Sequence, residues 1–350
     1  IVSKASLNIN FMILKKMTVF IKTLLIILTL NFYCVYALAD GSDFNLWLKD
    51  FTKIAKQKGI SDKTINTVLS KSKYLPNVIK YDRYQPEFYE NTYTYVKKRT
   101  NNLKVIKGTS LYRSNKNIIN EVEANFNVEK ELLLSLMGIE TNFGNYLGKM
   151  DIISSLATLS FDKRRSAFFS NELITILKLI DINKINANIL YGSWAGAFGN
   201  FQFMPTTIEN YAIDYDKNSI IELKKIEDSF ASAANYINKI GWKNDEPCFY
   251  KIELKDDIPK KYLNTSAKKI INKKNVIFFK KYIKGNTLDN LDINLISAII
   301  TPDKDIDPKA KNLSPAYLVF NNYELILKWN RSLRFALAVC TLKNKFKNEI

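Results

Sequence analysis

A chain of 350 residues exceeds the usual size of one domain, and its composition, 47% hydrophobic and 25% charged with 11 Gly and 8 Pro, is that of a globular protein. It contains no His, which excludes Ser-His-Asp and Cys-His nucleophile systems, His-ligated zinc and His-ligated haem; acid–base chemistry is left to Glu, Asp, Lys, Tyr or Cys. Three Cys make neither a zinc-finger nor an iron–sulfur framework, and the net charge of +18 predicts an acidic partner: nucleic acid, anionic lipid or an acidic polymer.

Lys15, Lys16 and Lys22 precede an apolar run from Thr23 to Leu30, and Ala37-Leu38-Ala39 follows before Asp40. A basic region, a short apolar region and an A-x-A site predict a secretory signal peptide over 1–39, with a membrane anchor as the alternative. Tyr33 before Cys34 argues against lipid attachment. An exported basic protein does not meet nucleic acid, so cell-wall polymer and membrane surface remain as partners. Cys248 and Cys340 have the chance to pair in an oxidising compartment, which their sequence positions alone leave open.

Beyond the leader, Phe44, Trp47, Leu48, Phe51, Ile54 and Ala55 follow helical spacing, with Ser42 as N-cap and Gly59 as stop, and Ser61 opens a second helix. Asp82 to Phe88 reads as a loop leading into an aromatic helix with Tyr89, Tyr93 and Val96. Helices are expected near 116–125, 128–141 and 166–180, then a Gly-rich loop over 192–203 and a helix opened by Pro205. Another helix spans 227–240. From 246 to 320 the texture changes to short strands at 249–252, 276–279 and 317–320 among Lys-rich loops, and 322–347 is helical again. The whole is a mainly α (α+β) protein with a small β-containing insertion. Its expected division is a helical N-terminal lobe at 40–125, a core at 126–245, the β-containing lobe at 246–320 and a terminal helical segment at 321–350.

Leu133, Leu136, Met137 and Glu140 share one face of what reads as the most hydrophobic helix of the mature chain. A carboxyl group on an apolar face loses hydration, which favours the neutral, proton-donating form that a general acid requires. The alternative is a Glu near a helix end, rotated to solvent. Gly138 within that helix suggests close approach by another group. Six of the eleven glycines fall in two stretches (138, 144, 148 and 192, 196, 199), where backbone lies against a ligand or simply packs tightly.

Four ordered motifs then carry a family resemblance: Asp82–Phe88 (DRYQPEF), Gly138–Gly144 (GIETNFG), Leu156–Phe161 (LATLSF) and Gly192–Thr206 (GSWAGAFGNFQFMPT). With Ala234-Asn235-Tyr236 and Gly241-Trp242 downstream, the chain from about 44 to 339 resembles the lytic murein transglycosylase B family. The resemblance implies a lysozyme-like helical core with a helical N-terminal lobe and a small β lobe, acting in the periplasm on peptidoglycan glycan strands. Glu140 matches the family's single catalytic acid. Ser193 and Gln202 match loop residues that orient the acid and the sugar, and Phe203, Asn235 and Tyr236 match cleft positions. Arg164 and Arg165 match an arginine pair suited to peptide or lactyl carboxylates. Asn330 matches a cleft residue, whereas Trp329 and Phe335 replace expected tyrosines, which puts the hydrogen bonds of those two positions in question. The arginine pair also sits one residue closer to Phe161 than the family pattern.

Asp214, Asp216 and Asn218 alternate as D-x-D-x-N, the opening of an EF-hand calcium loop, with the Ile220 carbonyl at the seventh position. Read alone this is a solvated loop. In the family register Asp228 is the closing carboxylate and a weak structural calcium site follows, although Ser219 replaces the expected Gly and Lys225 stands at the twelfth place. No cofactor is expected at the reacting centre, and the protein is expected to be a monomer that meets cell-wall synthesis proteins. The leading expectation is a non-hydrolytic peptidoglycan lyase; a hydrolysing muramidase and a non-catalytic wall-binding protein are the rivals. The matching motifs offer Glu140 no acidic partner for hydrolysis by two carboxylates, which favours the intramolecular route.

Overall fold

The computed structural model describes residues 43–84, 90–305 and 313–350. The expected signal segment, the Ser42 cap and the stretch from Gln85 to Tyr89 lie outside these residues. Local chemistry sets most helix ends. Helix α1 spans 43–57, and Gly59 beyond it adopts φ +86°. Ser61 caps α2 (Asp62–Thr67), its side chain accepting from the Thr64 N–H at 3.2 Å. Asn91 and Asn101 do the same for α4 (Thr92–Arg99) and α5 (Asn102–Ser114). Between α2 and α4 stands α3 (Pro76–Arg83), which takes in Asp82 and Arg83, two residues the sequence reading placed in a loop.

The core is built around α7 (Lys130–Thr141), which every residue from Glu131 to Gly138 buries. A helix buried all round has no polar face, so the one-sided apolar stripe read from the sequence does not apply. Nor is α7 the most apolar helix: α8 (Ile152–Phe161) buries all but its last residue. Helix α6 (Lys116–Phe126) packs on α11 (Ile226–Lys239), and α9 (Ser166–Asp181) lies between α8 and α10 (Pro205–Tyr211). The last helix, α14 (Leu333–Phe346), returns to lie against α7, α4 and α5. Strands β1 (Met150–Asp151) and β2 (Tyr191–Gly192) form a two-stranded ribbon beside α8.

Residues 249–319 supply a five-stranded sheet of order β3-β7-β6-β4, with β5 pairing β6. The strands are β3 (Phe249–Ile252), β4 (Leu263–Asn264), β5 (Lys274–Asn275), β6 (Ile296–Ile300) and β7 (Ala316–Val319). Phe249 pairs with Val319 and Ile299 with Leu318, both antiparallel, whereas β4 runs parallel to β6. This lobe has its own apolar cluster, including Ile252, Val276, Phe279, Ile299 and Leu318. The run Val276–Phe279, expected as a strand, is instead the short helix α12 (Val276–Lys280). Its buried residues, Val276 and Phe279, are three apart while Ile277 is 54% exposed, so the burial follows a helical period. A short apolar run does not separate strand from buried helix by itself.

The helical end is also two helices, α13 (Asn321–Trp329) and α14, separated at Asn330, whose backbone is extended (φ −140°, ψ 121°). Ser332 caps α14 by accepting from the Phe335 N–H at 3.2 Å. Cys248, just before β3, is disulfide-bonded to Cys340 of α14, with Cα atoms 6.2 Å apart. Glu129, at the start of α7, is buried and accepts from Trp242 Nε1 at 3.0 Å and from Lys343 Nζ at 2.8 Å. The disulfide thus ties the start of the β-containing lobe to α14, and Glu129 ties the start of α7 to Trp242 and α14. Among the described residues no helix is long and apolar enough to cross a membrane.

Candidate active site

Glu140 stands in the last turn of α7, half-buried, where the fully buried helix reaches the surface. The chain behind it turns sharply: Asn142, Phe143 and Gly144 all have positive φ (50°, 61° and 80°). Thr141, completely buried, fixes this turn. Its hydroxyl donates to the Asn200 carbonyl at 2.8 Å and accepts from the Gly144 N–H at 3.0 Å. Asn200 is itself held by the Lys224 carbonyl and the Ser229 hydroxyl. The Gly-rich loop is thereby locked to the end of the helix that carries Glu140. Neither Thr141 nor Asn200 stood out from the sequence as a positioning residue, since both lie inside motifs dominated by more conspicuous neighbours.

The glycine clusters serve this packing. A Cβ on Gly138 would sit 2.7 Å from Phe143 Cζ, and one on Gly148 would collide with the Gly192 carbonyl. The close approach that Gly138 suggested is therefore made by Phe143 and by Leu342 of α14. Lys104 of α5 donates its ammonium to the Gly138 carbonyl, two residues before Glu140. Burial, reinforced by Arg99 and Lys107, pulls its pKa down to about 8.

Trp329, at the C-terminal end of α13, donates its indole N–H to Glu140 Oε1 at 3.0 Å. The sequence reading questioned hydrogen bonding at this position because a tyrosine hydroxyl was missing; the indole supplies a donor in its place. Phe335, by contrast, is a buried core residue. Trp329 also organises an aromatic wall. Tyr236 stacks on it (centroids 5.1 Å apart, 20° between planes), Phe203 meets it edge-on at 5.2 Å and Phe201 at 6.2 Å. Tyr211 continues the stack on the far side of Tyr236 at 4.3 Å. The Tyr236 hydroxyl donates to the Lys328 carbonyl at 3.2 Å, and burial with the neighbouring Tyr211 pushes its pKa up to about 12. That hydroxyl is a positioning donor, not an acid at neutral pH.

The remaining expected residues fall into place differently. Gln202, at φ +50°, turns its amide to the Gly199 and Leu147 carbonyls at 2.9 and 3.3 Å, bridging the two glycine loops. Ser193 Oγ accepts from the Ala197 N–H at 3.0 Å and so closes its own loop. Asn235 donates to the Tyr211 carbonyl at 2.8 Å, supporting the aromatic stack from behind. Asn330 sits in the break directly after Trp329. Arg164 and Arg165 turn to Asp82: Arg164 Nε donates to its carboxylate at 2.8 Å, and Arg165 pairs with it as well. Asp82 is 2% exposed, and Arg83 joins the same cluster. Burial pushes the Asp82 carboxyl up, but the two guanidiniums outweigh it and hold the carboxyl below its ordinary range. In this structure the arginine pair is engaged with the protein itself.

At the acidic loop, carboxylate oxygens of Asp214, Asp216 and Asp228 lie within 4.8 Å of one another. Asp228 is buried and accepts backbone N–H bonds from Tyr215 (2.8 Å) and Glu222 (2.7 Å). Burial still raises its pKa despite those donors. Asn218 accepts from the Ile220 N–H at 2.9 Å, and Ser219 takes the left-handed conformation (φ +77°) that Gly holds in an EF-hand. The all-oxygen donor set fits a hard cation. Lys225 departs from the pattern, reaching to 3.9 Å from Asp216 and pairing with Glu222.

Comparison with known proteins agrees with this geometry. The Transglycosylase SLT domain pattern matches residues 43–344. Membrane-bound lytic murein transglycosylase B of Escherichia coli (strain K12) is 35% identical over 136 residues, a stretch that spans 39% of this chain and 38% of that protein's length. The crystal structure of SltB3 from Pseudomonas aeruginosa in complex with NAG-anhNAM-pentapeptide superposes with a TM-score of 0.76 at 29% identity, covering 87% of this chain and 79% of that one. The Escherichia coli lytic transglycosylase Slt35 in complex with calcium shares the fold, with a TM-score of 0.71 at 24% identity over 86% of this chain and 93% of that one. With its helical core, its acid at the end of α7 and a match over residues 43–344, the chain belongs to the transglycosylase SLT domain family.

Proposed function

We propose that the protein is a periplasmic lytic transglycosylase that cleaves the β-1,4 bond between N-acetylmuramic acid and N-acetylglucosamine in peptidoglycan. The observation that carries this reading is Glu140, half-buried against an aromatic wall, with an indole N–H on its carboxyl oxygen. Glu140 protonates the glycosidic oxygen, the bond to C1 of the muramic residue breaks, and the N-acetylglucosamine leaves. Positive charge at C1 is stabilised by the substrate's own N-acetyl carbonyl. The Glu140 carboxylate then takes the proton from the C6 hydroxyl of the same sugar, whose oxygen closes on C1. An intramolecular hydroxyl in good alignment has an effective molarity of roughly 10⁵ M or more, which favours ring closure over water. Trp329 assists the first step, since its N–H stabilises the carboxylate that this step creates, and in the second it keeps that carboxylate in position. Tyr236, stacked between Tyr211 and Trp329, and Phe203, buried edge-on beside Trp329, hold that wall in place. The 29% identical SltB3 was solved with NAG-anhNAM-pentapeptide, a fragment with an anhydro end, and this supports the same product class here.

Two measurements test the reading. Glu140→Gln keeps the shape and removes the transferable proton, and general acid catalysis contributes about 10²–10⁴-fold, so lysis of sacculi falls by that factor in a folded variant. Mass spectrometry of the wild-type products shows 1,6-anhydro ends, each lighter by one water than a muramidase product. Reducing muramic ends as the main product would establish the hydrolase instead. Released fragments of any kind exclude a wall-binding protein without catalysis.

The proposal extends to the acidic loop, where Asp214, Asp216, Asn218, Asp228 and the Ile220 carbonyl would hold a structural calcium ion that takes no part in the chemistry. Calcium takes six to eight oxygen ligands with loose geometry, which suits an irregular loop better than magnesium would. Binding to the folded state alone raises Tm. An unchanged melting curve at millimolar calcium assigns the loop's order to its own hydrogen bonds and to Lys225.

A further inference from the structure

The last turn of a helix leaves its carbonyls without helical donors, and a basic side chain near that end commonly takes them. Helix α7 has no basic residue in its last turn, although that turn carries the acid. Its terminal hydrogen bonds are also displaced. The N–H of Asn142, which would close on Gly138 in a regular helix, goes back to the Met137 carbonyl, and the Phe143 N–H joins it there at 3.3 Å. The Gly138 carbonyl takes the ammonium of Lys104 from α5 instead. One turn further along, α5 meets the same region again: Gly108 lies against Phe143, whose Cε1 would be 2.9 Å from a Cβ on that glycine. Lys104 and Gly108 are four residues apart and so share a face of α5.

This contact is kept against opposing terms. The lysine is half-buried and bonded to a carbonyl, and burial with Arg99 and Lys107 close by pulls its pKa down to about 8. Arg99 is itself paired with Glu90. From α14, Lys345 gives its ammonium to the Thr100 carbonyl, and α6 meets α5 at its far end, through Tyr112 and Asn120. Glu140 is the single charged residue in the last two turns of α7. The carbonyl end of a helix carries partial negative charge, and a carboxylate on that turn adds to it; a cation at the Gly138 carbonyl offsets both. The two residues look in different directions. A Cβ at Gly138 would meet Phe143 and Leu342 of α14, whereas the Glu140 carboxyl meets Trp329 of α13. Lys104 therefore reaches the acid through the main chain.

We infer that Lys104 is a positioning residue for the acid: its bond to the Gly138 carbonyl fixes the terminal turn that aims Glu140, and its charge offsets the carbonyl end on which the Glu140 carboxylate forms. This rests on the proposed reaction for the role of Glu140.

The test compares Lys104→Met, Lys104→Gln and Lys104→Arg with wild type by initial-rate lysis of sacculi between pH 4 and 9, with circular dichroism to confirm folding. Met and Gln remove the charge, whereas Arg keeps it together with its donors. Misplacing a catalytic group by about 1 Å costs on the order of 10²-fold, so kcat should fall about 10- to 100-fold in the two neutral variants, with KM within about twofold. Lys104→Arg should recover at least about a third of the wild-type kcat. A cation favours the ionised acid, so its loss raises the acid's proton affinity. The basic limb of the pH–rate profile should therefore move upward in the neutral variants and stay in place in Lys104→Arg. Neutral variants with kcat within about twofold of wild type, an arginine variant no better than they are, or an unmoved basic limb overturns the inference. Loss of folding in both neutral variants would make Lys104 a stability residue and overturns it equally. The two readings separate cleanly. A wild-type protein that releases no fragments refutes the reaction and this role with it, whereas active wild type beside unaffected variants refutes the role alone.

Discussion

Trp329→Phe isolates one atom pair at the centre of the site. The replacement keeps an aromatic ring between Tyr236 and Phe203, whose centroids lie 5.1 and 5.2 Å from that of Trp329, but deletes the N–H that reaches Glu140 Oε1 at 3.0 Å. That distance is within the ordinary range for an N–H···O bond. The bond is worth more as Glu140 gives up its proton, because the acceptor changes from a neutral acid to a carboxylate. Bonds to charged groups contribute about 1.5–3 kcal/mol, which sets an upper range of about 10- to 150-fold loss in kcat with little change in KM. A second observable follows from the same physics. A donor that favours the ionised acid shortens the pH range in which the acid is protonated, so its removal moves the basic limb of the pH–rate profile upward. The assay is initial-rate lysis of purified sacculi between pH 4 and 9, with circular dichroism to confirm folding. A folded Trp329→Phe protein with kcat within twofold of wild type and an unmoved basic limb would refute the assignment of Trp329 as the partner of the acid.

Glu129→Gln removes the charge that compensates Lys343, 4% exposed, and breaking a buried pair from one side costs about 3–5 kcal/mol; the denaturant midpoint should fall accordingly, and an unchanged midpoint would show that Glu131 or water compensates. Asp82 has a folded-state pKa below its ordinary 3.8, so its contribution is complete above that pH and is lost as pH falls through the lower, folded value. The stability difference between wild type and Asp82→Asn should therefore narrow below about pH 3.8, and a difference constant from pH 2 to 6 contradicts the pairing. Replacing Cys248 and Cys340 together by Ala opens a link between residues 92 apart and should lower stability by about 2–4 kcal/mol in oxidising buffer, with no added effect of reductant on the variant. A reductant response equal to that of wild type would show that the sulfurs are not joined in solution.

Much of the architecture was legible in the amino-acid order because it is set by short-range chemistry. Ser61, Pro205 and Gly59 mark helix boundaries by filling or removing local hydrogen-bonding groups, and the structure places those boundaries where such residues predict. Glu140 was also visible, as a carboxylate at the end of an apolar helix within an ordered set of motifs. Tertiary contacts decided the rest. Val276–Phe279 became a helix and Ile296–Ile300 a strand because an apolar run takes the period of the surface it packs against. Trp329, which bonds Glu140 from 189 residues away on α13, was named in the sequence but its hydrogen bond was put in question, because an indole replaces a hydroxyl with a donor of different shape. Arg164 and Arg165 looked free for a substrate until Asp82 was brought to them by α3 packing on α8, across more than 80 positions of chain. A sequence records which groups can donate, accept or carry charge. Which of them are already satisfied depends on distances that only the folded chain fixes.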